Sequence, residues 1–150
     1  MSLHTELDIF KASYDLLGVA DDLVRNIPRA HKPYLGRKIF DECTEVVAAI
    51  PLANAERGAG KVPHINRLLQ RLEVTKTLFR LCVDKRYISR DQFARTIPLT
   101  TSIGRQANGW KKSSASLPLR LNEEWTGRFE HSAAWVKRAV RTVRGVWIPA

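Results

Sequence analysis

Two pairs of cationic side chains have the spacing that most directly indicates chemistry in this sequence. Arg67 and Arg71 are four residues apart, and so are Lys76 and Arg80. On a helix this spacing places both members of a pair on one face, where like charges repel at a cost of roughly 0.3 kcal/mol. A phosphate bound between them would reverse the sign of that energy. The pattern therefore predicts an anion-binding face, and the alternative is that Glu73 or an acid on a facing helix neutralises the pairs.

A second group of cations lies in the segment Ile27-Pro-Arg-Ala-His-Lys-Pro-Tyr-Leu-Gly-Arg-Lys-Ile-Phe40, between two stretches typical of helix. A connection needs only residues that permit the turn, and Pro28 and Pro33 supply them. The additional polar side chains indicate a binding role at one end of the fold. They are Arg29, His31, Lys32, Arg37 and Lys38.

The sequence offers no set of residues arranged for catalysis or for a metal ion. No two histidines have the i, i+4 spacing of a helical metal site; they are His4, His31, His64 and His131. Cys43 and Cys82 are far apart and fall on apolar faces, where a free thiol behaves as a small hydrophobic side chain. We therefore expect no enzymatic activity, no cofactor, no metal ion and no disulfide.

The balance of charge favours a polyanionic partner. The chain has 25 Lys and Arg against 15 Asp and Glu, which gives a net charge of +10. Residues 1–60 carry 7 basic and 9 acidic groups, whereas residues 61–150 carry 18 and 6, so the surplus comes from the second part. A uniform solvated surface would mix both signs throughout, and nucleic acid is therefore the leading class of partner.

Signals for secretion or membrane insertion are not found in the sequence. The first residues include Glu6 and Asp8, where a secretion signal carries cations. The longest apolar stretch contains Pro51 and is less than half of the roughly 20 residues that a membrane-spanning helix needs. We expect a cytoplasmic protein that does not enter a membrane.

Apolar residues recur every three or four positions in four segments, which is the spacing of amphipathic helices. The segments cover about residues 5–26, 33–55, 63–84 and 89–111, and Ser89 is the predicted N-cap of the fourth. No segment alternates apolar and polar residues as a strand does, and the connections are short. The sequence therefore predicts an all-α, antiparallel up-down four-helix bundle over residues 1–112.

Each predicted helix has a core stripe. The first comprises Leu7, Phe10, Tyr14, Leu17, Val24 and Ile27, widened by Ile9, Leu16 and Leu23. The second comprises Leu35, Ile39, Cys43, Val46 or Val47, and Ile50, with Asp41, Glu42 and Glu45 facing away. The third comprises Ile65, Leu68, Leu72, Thr75, Phe79 and Cys82. The fourth comprises Phe93, Ile97, Thr100 or Thr101, Ala107 and Trp110.

Residues 113–150 are predicted to be a basic linker and tail. The run Ser113-Ser-Ala-Ser-Leu-Pro118 is typical of a linker. Residues 131–144 are expected to form a short basic helix in contact with an anion, because four cations fall within about two turns. These candidates for nucleic-acid binding are Lys137, Arg138, Arg141 and Arg144.

Residues 92–105 admit a second interpretation, as a DNA-binding helix-turn-helix with Ala94 in the close-packing position. The usual turn glycine would then be Pro98, and Gly104 falls where a recognition helix has an apolar residue. A kinked bundle helix explains the same residues with fewer departures. A helix-turn-helix regulator of DNA is therefore an alternative function.

Several short motifs follow one another across the four helices. They are Ile27-Pro-Arg-Ala-His31, Gly36-Arg37, Leu72 followed by Leu78-Phe79-Arg80, and Ile103-Gly104-Arg105 followed by Gly109-Trp110. In their order and spacing the sequence resembles the Avd family, the accessory proteins of diversity-generating retroelements, and their relatives encoded in intervening sequences of 23S rRNA genes. The resemblance spans about residues 5–113.

The resemblance implies a non-catalytic protein that assembles into a homopentamer. It implies association with the retroelement's reverse transcriptase and with template RNA or DNA, in support of mutagenic cDNA synthesis. It further implies a role in partner binding for a basic pair on the third helix, matched here by Lys76 and Arg80. Lysine stands at the first of these two positions where arginine is familiar. Arg105, in the last of the matching motifs, is a further candidate for binding nucleic acid or a partner. A relative of the ribosomal type would share the bundle and have no reverse transcriptase partner.

Overall fold

A computed structural model describes residues 3–116 of the chain. This part consists of four α-helices and short helical turns; the helices are α1 (Asp8–Asn26), α2 (Arg37–Ala55), α3 (Val62–Asp84) and α4 (Arg90–Ser116). Each helix packs against the next, and α4 packs back against α1. Because the connections are short, successive helices run antiparallel around one core. The predicted all-α up-down bundle is confirmed.

The connections are built from short helical turns. Ile27 is extended, since Pro28 excludes the helical conformation from the residue before it, and α1 ends there. A single π-helical turn, Lys32–Gly36, leads into α2. A 3₁₀ turn, Gly58–Lys61, joins α2 to α3, and another, His4–Glu6, precedes α1. The second helix was predicted to begin at residue 33, but α2 begins at Arg37, after this wider turn.

The predicted core stripes of α2 and α3 are confirmed. All six predicted residues of α3 are at most 1% exposed. On α2 the predicted apolar residues are buried as well, with Val46 and not Val47 on the core side. In both helices large apolar side chains recur without interruption, so only one face of the helix is apolar enough for the core.

The predicted stripe of α1 is correct only in part. Ile9, Leu16, Leu23 and Ile27 are buried as predicted, but Tyr14 is 62% exposed, and the core side is completed by Ser13 and Ala20. Alternating steps of four and three residues continue through positions 13 and 20, where the side chains are small. A count of large apolar residues misses these two positions and includes the exposed Tyr14.

The predicted stripe of α4 is correct only in part. Thr100 and Ala107 are buried as predicted, but Ile97 is 46% exposed, and the core side is completed by Thr96 and Ile103. The Thr96 hydroxyl donates to the carbonyl of Phe93 at 2.7 Å, and the Thr100 hydroxyl donates to the carbonyl of Thr96 at 3.0 Å. Because these hydrogen bonds satisfy the threonine hydroxyls, burying them in an apolar core costs little free energy.

The N-terminus of α4 is fixed by a capping box, which confirms Ser89 as the N-cap. The backbone N–H of Gln92 donates to Ser89 Oγ at 3.1 Å, and the N–H of Ser89 donates to Gln92 Oε1 at 2.9 Å. From there α4 runs without a break to Ser116 and includes Pro98. An internal proline removes one helical hydrogen bond at a cost of roughly 3 kcal/mol, and buried residues on both sides of Pro98, Thr96 and Ile103, hold α4 in the core.

The continuity of α4 corrects two predictions. Residues 92–105 contain no turn, so the helix-turn-helix interpretation is wrong. Residues 113–116 belong to the helix and not to a linker, and Ser114 is 3% exposed. Within the part of the chain that the structure describes, no helix combines the length and the apolar composition required to cross a membrane.

Candidate polyanion-binding surface

The first predicted pair of α3, Arg67 and Arg71, is neutralised by α2. Arg67 Nη2 lies 2.5 Å from Glu45 Oε2, and Arg71 Nη1 lies 3.0 Å from Glu42 Oε1. For this pair the structure therefore shows the alternative, an acid on a facing helix. The ion pairs hold α2 against α3, and they remove the repulsion that predicted a phosphate between the two arginines.

Glu42 was expected to face away from the core, and this expectation is wrong because its side chain is 2% exposed. Lys38 Nζ lies 2.5 Å from one carboxylate oxygen, and Arg71 Nη1 lies 3.0 and 3.3 Å from the two oxygens. A buried carboxylate is unfavourable unless cations and hydrogen bonds compensate it. Lys38 and Arg71 reach Glu42 from the rim of the bundle, so both have a structural role.

The second predicted pair of α3 is matched by acids of the same helix. Lys76 Nζ lies 2.7 Å from Glu73 Oε1, and Arg80 Nε lies 3.1 Å from Asp84 Oδ1. The Arg80 and Asp84 side chains are 68% and 55% exposed, and ion pairs of this kind contribute less than about 1 kcal/mol. A carboxylate or phosphate of a partner can therefore replace Glu73 and Asp84 at little cost.

The first connection contains both matched and unmatched cations. Arg37 Nε lies 3.7 Å from Asp41 Oδ2, and Lys38 is the partner of Glu42. Arg29 and Lys32, in contrast, have no carboxylate within 4.0 Å among residues 3–116. The cations available to an external anion are thus those of the turn itself, and not those of the first turns of α2.

His31 packs between two tyrosines and connects the first turn to the third. Its ring stacks on Tyr87 with the ring centroids 4.9 Å apart, and it meets the ring of Tyr34 edge-on at 5.6 Å. The Tyr34 hydroxyl also forms a hydrogen bond with His31 Nδ1. The predicted binding residue His31 therefore brings the first connection against the corner between α3 and α4.

The remaining predicted site residues lie elsewhere. Arg105 is exposed on α4 and has no carboxylate within 4.0 Å in the described part of the chain. It lies 15 residues beyond Arg90, or about 22 Å along the helix axis, so it does not join the cations of the first connection. The tail candidates are outside the described residues; they are Lys137, Arg138, Arg141 and Arg144.

The corner between α3 and α4 contains three cations that sequence reasoning missed: Lys85, Arg86 and Arg90. None of them has a carboxylate within 4.0 Å among residues 3–116. Two signals could have identified them. Lys85 and Arg86 are adjacent in a predicted turn, and an up-down bundle places the first and third connections at the same end.

Arg86 has a backbone conformation that is unusual for its residue type, with φ = 59°. Its N–H donates to the carbonyl of Val83 at 3.0 Å, and the N–H of Tyr87 donates to the carbonyl of Cys82 at 2.8 Å. This pair of bonds is the Schellman arrangement that ends many helices, usually with glycine at the left-handed position. An L-residue costs about 1 kcal/mol or more there, so α3 ends at a strained arginine.

An open cleft of about 1150 Å³ adjoins this corner. Its walls include three guanidinium groups, one acid and two half-buried rings, which belong to Arg80, Arg86, Arg90, Asp84, Tyr87 and Phe93. Asp84 is already paired with Arg80. The cleft therefore combines the unmatched charge of Arg86 and Arg90 with aromatic surface.

The two cysteines, Cys43 and Cys82, are free and buried. Burial raises the pKa of the Cys43 thiol to about 12, with a further increase from Glu42 that a hydrogen bond with Thr75 opposes. Burial also raises the pKa of the Cys82 thiol to about 11. Within residues 3–116 no three side chains of His, Cys, Asp or Glu are placed to hold a metal ion. The thiolate is the reactive form of a thiol, and the raised pKa values keep both thiols protonated near neutral pH. Neither cysteine is therefore suited to act as a nucleophile.

We expect both thiols to resist labelling in the folded protein. Compared with a thiol at pKa 9.0, the raised pKa values lower the thiolate fraction at pH 8 by roughly 100- to 1000-fold. Reaction with a chromogenic disulfide reagent should be slow in native buffer and should release two equivalents at once in denaturant. Rapid release of one equivalent from the native protein would contradict the burial of these side chains.

Comparison with known proteins assigns the chain to a family. A family model described as bAvd-like matches residues 9–114, from the first turn of α1 to the last turn of α4. Neither the curated proteins nor the solved structures that were compared with the chain include a significant match. The resemblance to Avd proteins that the sequence motifs indicated is confirmed. The chain therefore belongs to the bAvd-like family, as an accessory protein of the Avd type.

Proposed function

We propose that this chain is a non-catalytic accessory protein that associates, as a homopentamer, with a retroelement reverse transcriptase and its template RNA, and so supports mutagenic cDNA synthesis. Membership of the bAvd-like family over residues 9–114 is the observation that carries the proposal. The net charge of +10 supports the RNA contact, since Lys and Arg bind phosphates without regard to base sequence.

The part of the surface proposed to contact the reverse transcriptase is the exposed pair Lys76 and Arg80 on α3. The two residues lie about one turn apart, and their acids, Glu73 and Asp84, come from the same helix. A partner that offers carboxylates can exchange with these acids without opening any contact between helices. Arg80 can form a bidentate contact, whereas Lys76 acts as a point charge.

Exposed apolar side chains on α2 and α3 support self-association. Phe40, Leu52, Val74 and Leu81 are between 39% and 48% exposed in the single chain. Others lie outside α2 and α3, at Leu3, Tyr14, Tyr34 and Ile97. Exposed apolar surface of this kind is a common feature of subunit interfaces. In a homopentamer these side chains would be covered, and the cations of every subunit would be repeated around one axis.

The variant Lys76→Ala/Arg80→Ala should weaken association with the reverse transcriptase of the same retroelement by roughly tenfold, because two charge-assisted contacts are lost. Its free energy of unfolding should change by less than about 1 kcal/mol, since both ion pairs are exposed. The measurement is co-purification with a tagged reverse transcriptase at low salt, together with helicity by circular dichroism and oligomer mass by light scattering.

The matched control is Lys11→Ala/Arg25→Ala on α1. These cations form the same two kinds of exposed pair, Lys11 with Asp8 three residues earlier and Arg25 with Asp21 four residues earlier. Equal retention of the reverse transcriptase by both double variants would exclude the α3 pair as the contact. If the wild-type chain retains neither the reverse transcriptase nor RNA, the proposed function is wrong, and a purely structural bundle of the ribosomal type takes its place.

A further inference from the structure

We propose that the cleft between Arg86 and Arg90 is a binding site for single-stranded nucleic acid, in which the arginines contact phosphates and the aromatic rings stack on unpaired bases. This inference rests on the proposed function, because it specifies where the chain binds RNA and in which form. The cleft shares Arg80 with the α3 pair assigned to the reverse transcriptase, but Arg86, Arg90 and Phe93 belong to the cleft and not to that pair, so variants at these three positions test it separately.

The charges in the cleft are free to bind an anion from outside the described part of the chain. Arg86 and Arg90 are exposed and have no carboxylate within 4.0 Å among residues 3–116. Lys85, next to them, is unmatched in the same part of the chain. The acid on the wall, Asp84, is already paired with Arg80 at 3.1 Å. A phosphate chain would therefore meet two guanidinium groups without displacing any internal contact.

The backbone at Arg86 indicates that its side chain has a use outside the fold. Glycine at this left-handed position would end α3 with the same hydrogen bonds and without strain. The Arg86 side chain forms no hydrogen bond or ion pair within residues 3–116 that would compensate the strain. Strained conformations of this kind concentrate at functional sites, where the surrounding structure maintains them.

The rings in the cleft favour a single strand over a duplex. Tyr87 and Phe93 are half-buried on the cleft wall, and the stacked ring of His31 holds Tyr87 in place. Bases in a duplex stack on each other, so only an unpaired base can place its face on a protein ring. The cleft is open and has a volume of about 1150 Å³, so it leaves room for part of a longer chain.

The test measures binding of a 5′-labelled RNA of about 20 nucleotides, and of its blunt duplex, by fluorescence anisotropy across a series of salt concentrations. The wild-type chain should bind the single strand several-fold more tightly than the duplex. Arg86→Gly and Arg90→Ala should each weaken single-strand binding about fivefold and lower the slope of log K against log salt by about 0.7. Arg86→Gly should also raise Tm by about 4 °C, so its loss of binding cannot come from unfolding.

The aromatic contribution is tested with Phe93→Leu, which keeps an apolar side chain in the half-buried position. Loss of one stacked base should weaken single-strand binding about tenfold, leave duplex binding unchanged and leave the salt slope unchanged. The control for the arginine variants is Arg57→Ala, at the opposite end of the bundle. Arg57 is exposed and also has no carboxylate within 4.0 Å in the described region, so the net charge changes equally.

Four results would overturn the proposal. If the wild type binds RNA and the cleft variants match Arg57→Ala, the RNA site lies elsewhere and the proposed function stands. If Phe93→Leu has no effect and duplex binds as tightly as single strand, the cleft does not bind unpaired bases. If Arg86→Gly/Arg90→Ala loses the reverse transcriptase and keeps RNA, the cleft binds an acidic protein segment. A wild-type chain that binds no RNA would remove the RNA part of the proposed function as well.

Discussion

Replacement of Glu42 by glutamine should lower the free energy of unfolding by about 2 kcal/mol. The side chain is 2% exposed and is the shared partner of Lys38 and Arg71. Glutamine preserves the volume and one carbonyl oxygen but removes the charge, so two cations would face each other across a buried amide. Lys38 and Arg71 are 54% and 38% exposed, so each stays partly solvated, and the cost comes from the lost charge-assisted hydrogen bonds and from an amide N–H that faces a cationic donor.

Glu45→Gln is the matched control, because Glu45 also joins α2 to an arginine of α3. Its side chain is 39% exposed and that of its partner Arg67 is 52% exposed, so solvent screens the pair and the expected loss is below about 1 kcal/mol. Urea unfolding of both variants, followed by circular dichroism, gives the comparison. Similar losses for Glu42→Gln and Glu45→Gln would show that burial does not distinguish the two carboxylates.

Gly36→Ala should destabilise the bundle by about 2 kcal/mol. A Cβ atom at position 36 would lie 2.9 Å from Val24 Cγ1, closer than two carbon atoms approach without displacement. Val24 belongs to α1, and its branched side chain has one preferred rotamer in a helix, so it cannot rotate away cheaply. The absence of a side chain at Gly36 is thus what lets the turn before α2 approach α1.

The Val24→Ala background tests this reason for the loss. Without Cγ1 the contact disappears, so Gly36→Ala should hardly change the free energy of unfolding in that background. The coupling energy of the double-mutant cycle should be about 2 kcal/mol.

Gly104→Ala is the control with the opposite expected sign. Its new Cβ would lie 3.6 Å from Leu72 Cδ2, an ordinary contact, and alanine favours a helix over glycine by about 1 kcal/mol. Equal stabilities of Gly36→Ala and wild type would contradict the close contact.

The architecture could be predicted because the helix signals are local. On α3, a large apolar residue or Thr75 occupies every core position from Ile65 to Cys82, so the spacing alone defined the buried face. On α1 the core also includes Ser13 and Ala20, whose small side chains give no apolar signal, and the spacing added Tyr14, which is exposed. The face that a helix buries depends on its neighbours, and a sequence does not contain that information for mixed faces.

The site was less predictable than the fold, because its charges are matched across helices. Arg71 and Glu42 are 29 residues apart, and only the packing of α3 on α2 brings their atoms to 3.0 Å. A rule based on four-residue spacing compares a cation only with residues of its own helix. Arg86 was missed for a related reason, since a left-handed turn is predicted from glycine or asparagine and this turn has arginine.

The most direct test of the account is to find where RNA touches the protein. The full chain is crosslinked by light to a single-stranded RNA that contains 4-thiouridine, digested, and analysed by mass spectrometry. We expect adducts within residues 80–93, which carry Arg86, Tyr87 and Phe93, and none on α3 near Arg67 and Arg71, whose charges α2 neutralises. Adducts confined to residues 62–76, with residues 80–93 unmodified, would contradict the central claim that unmatched cations at the end of the bundle bind the nucleic acid.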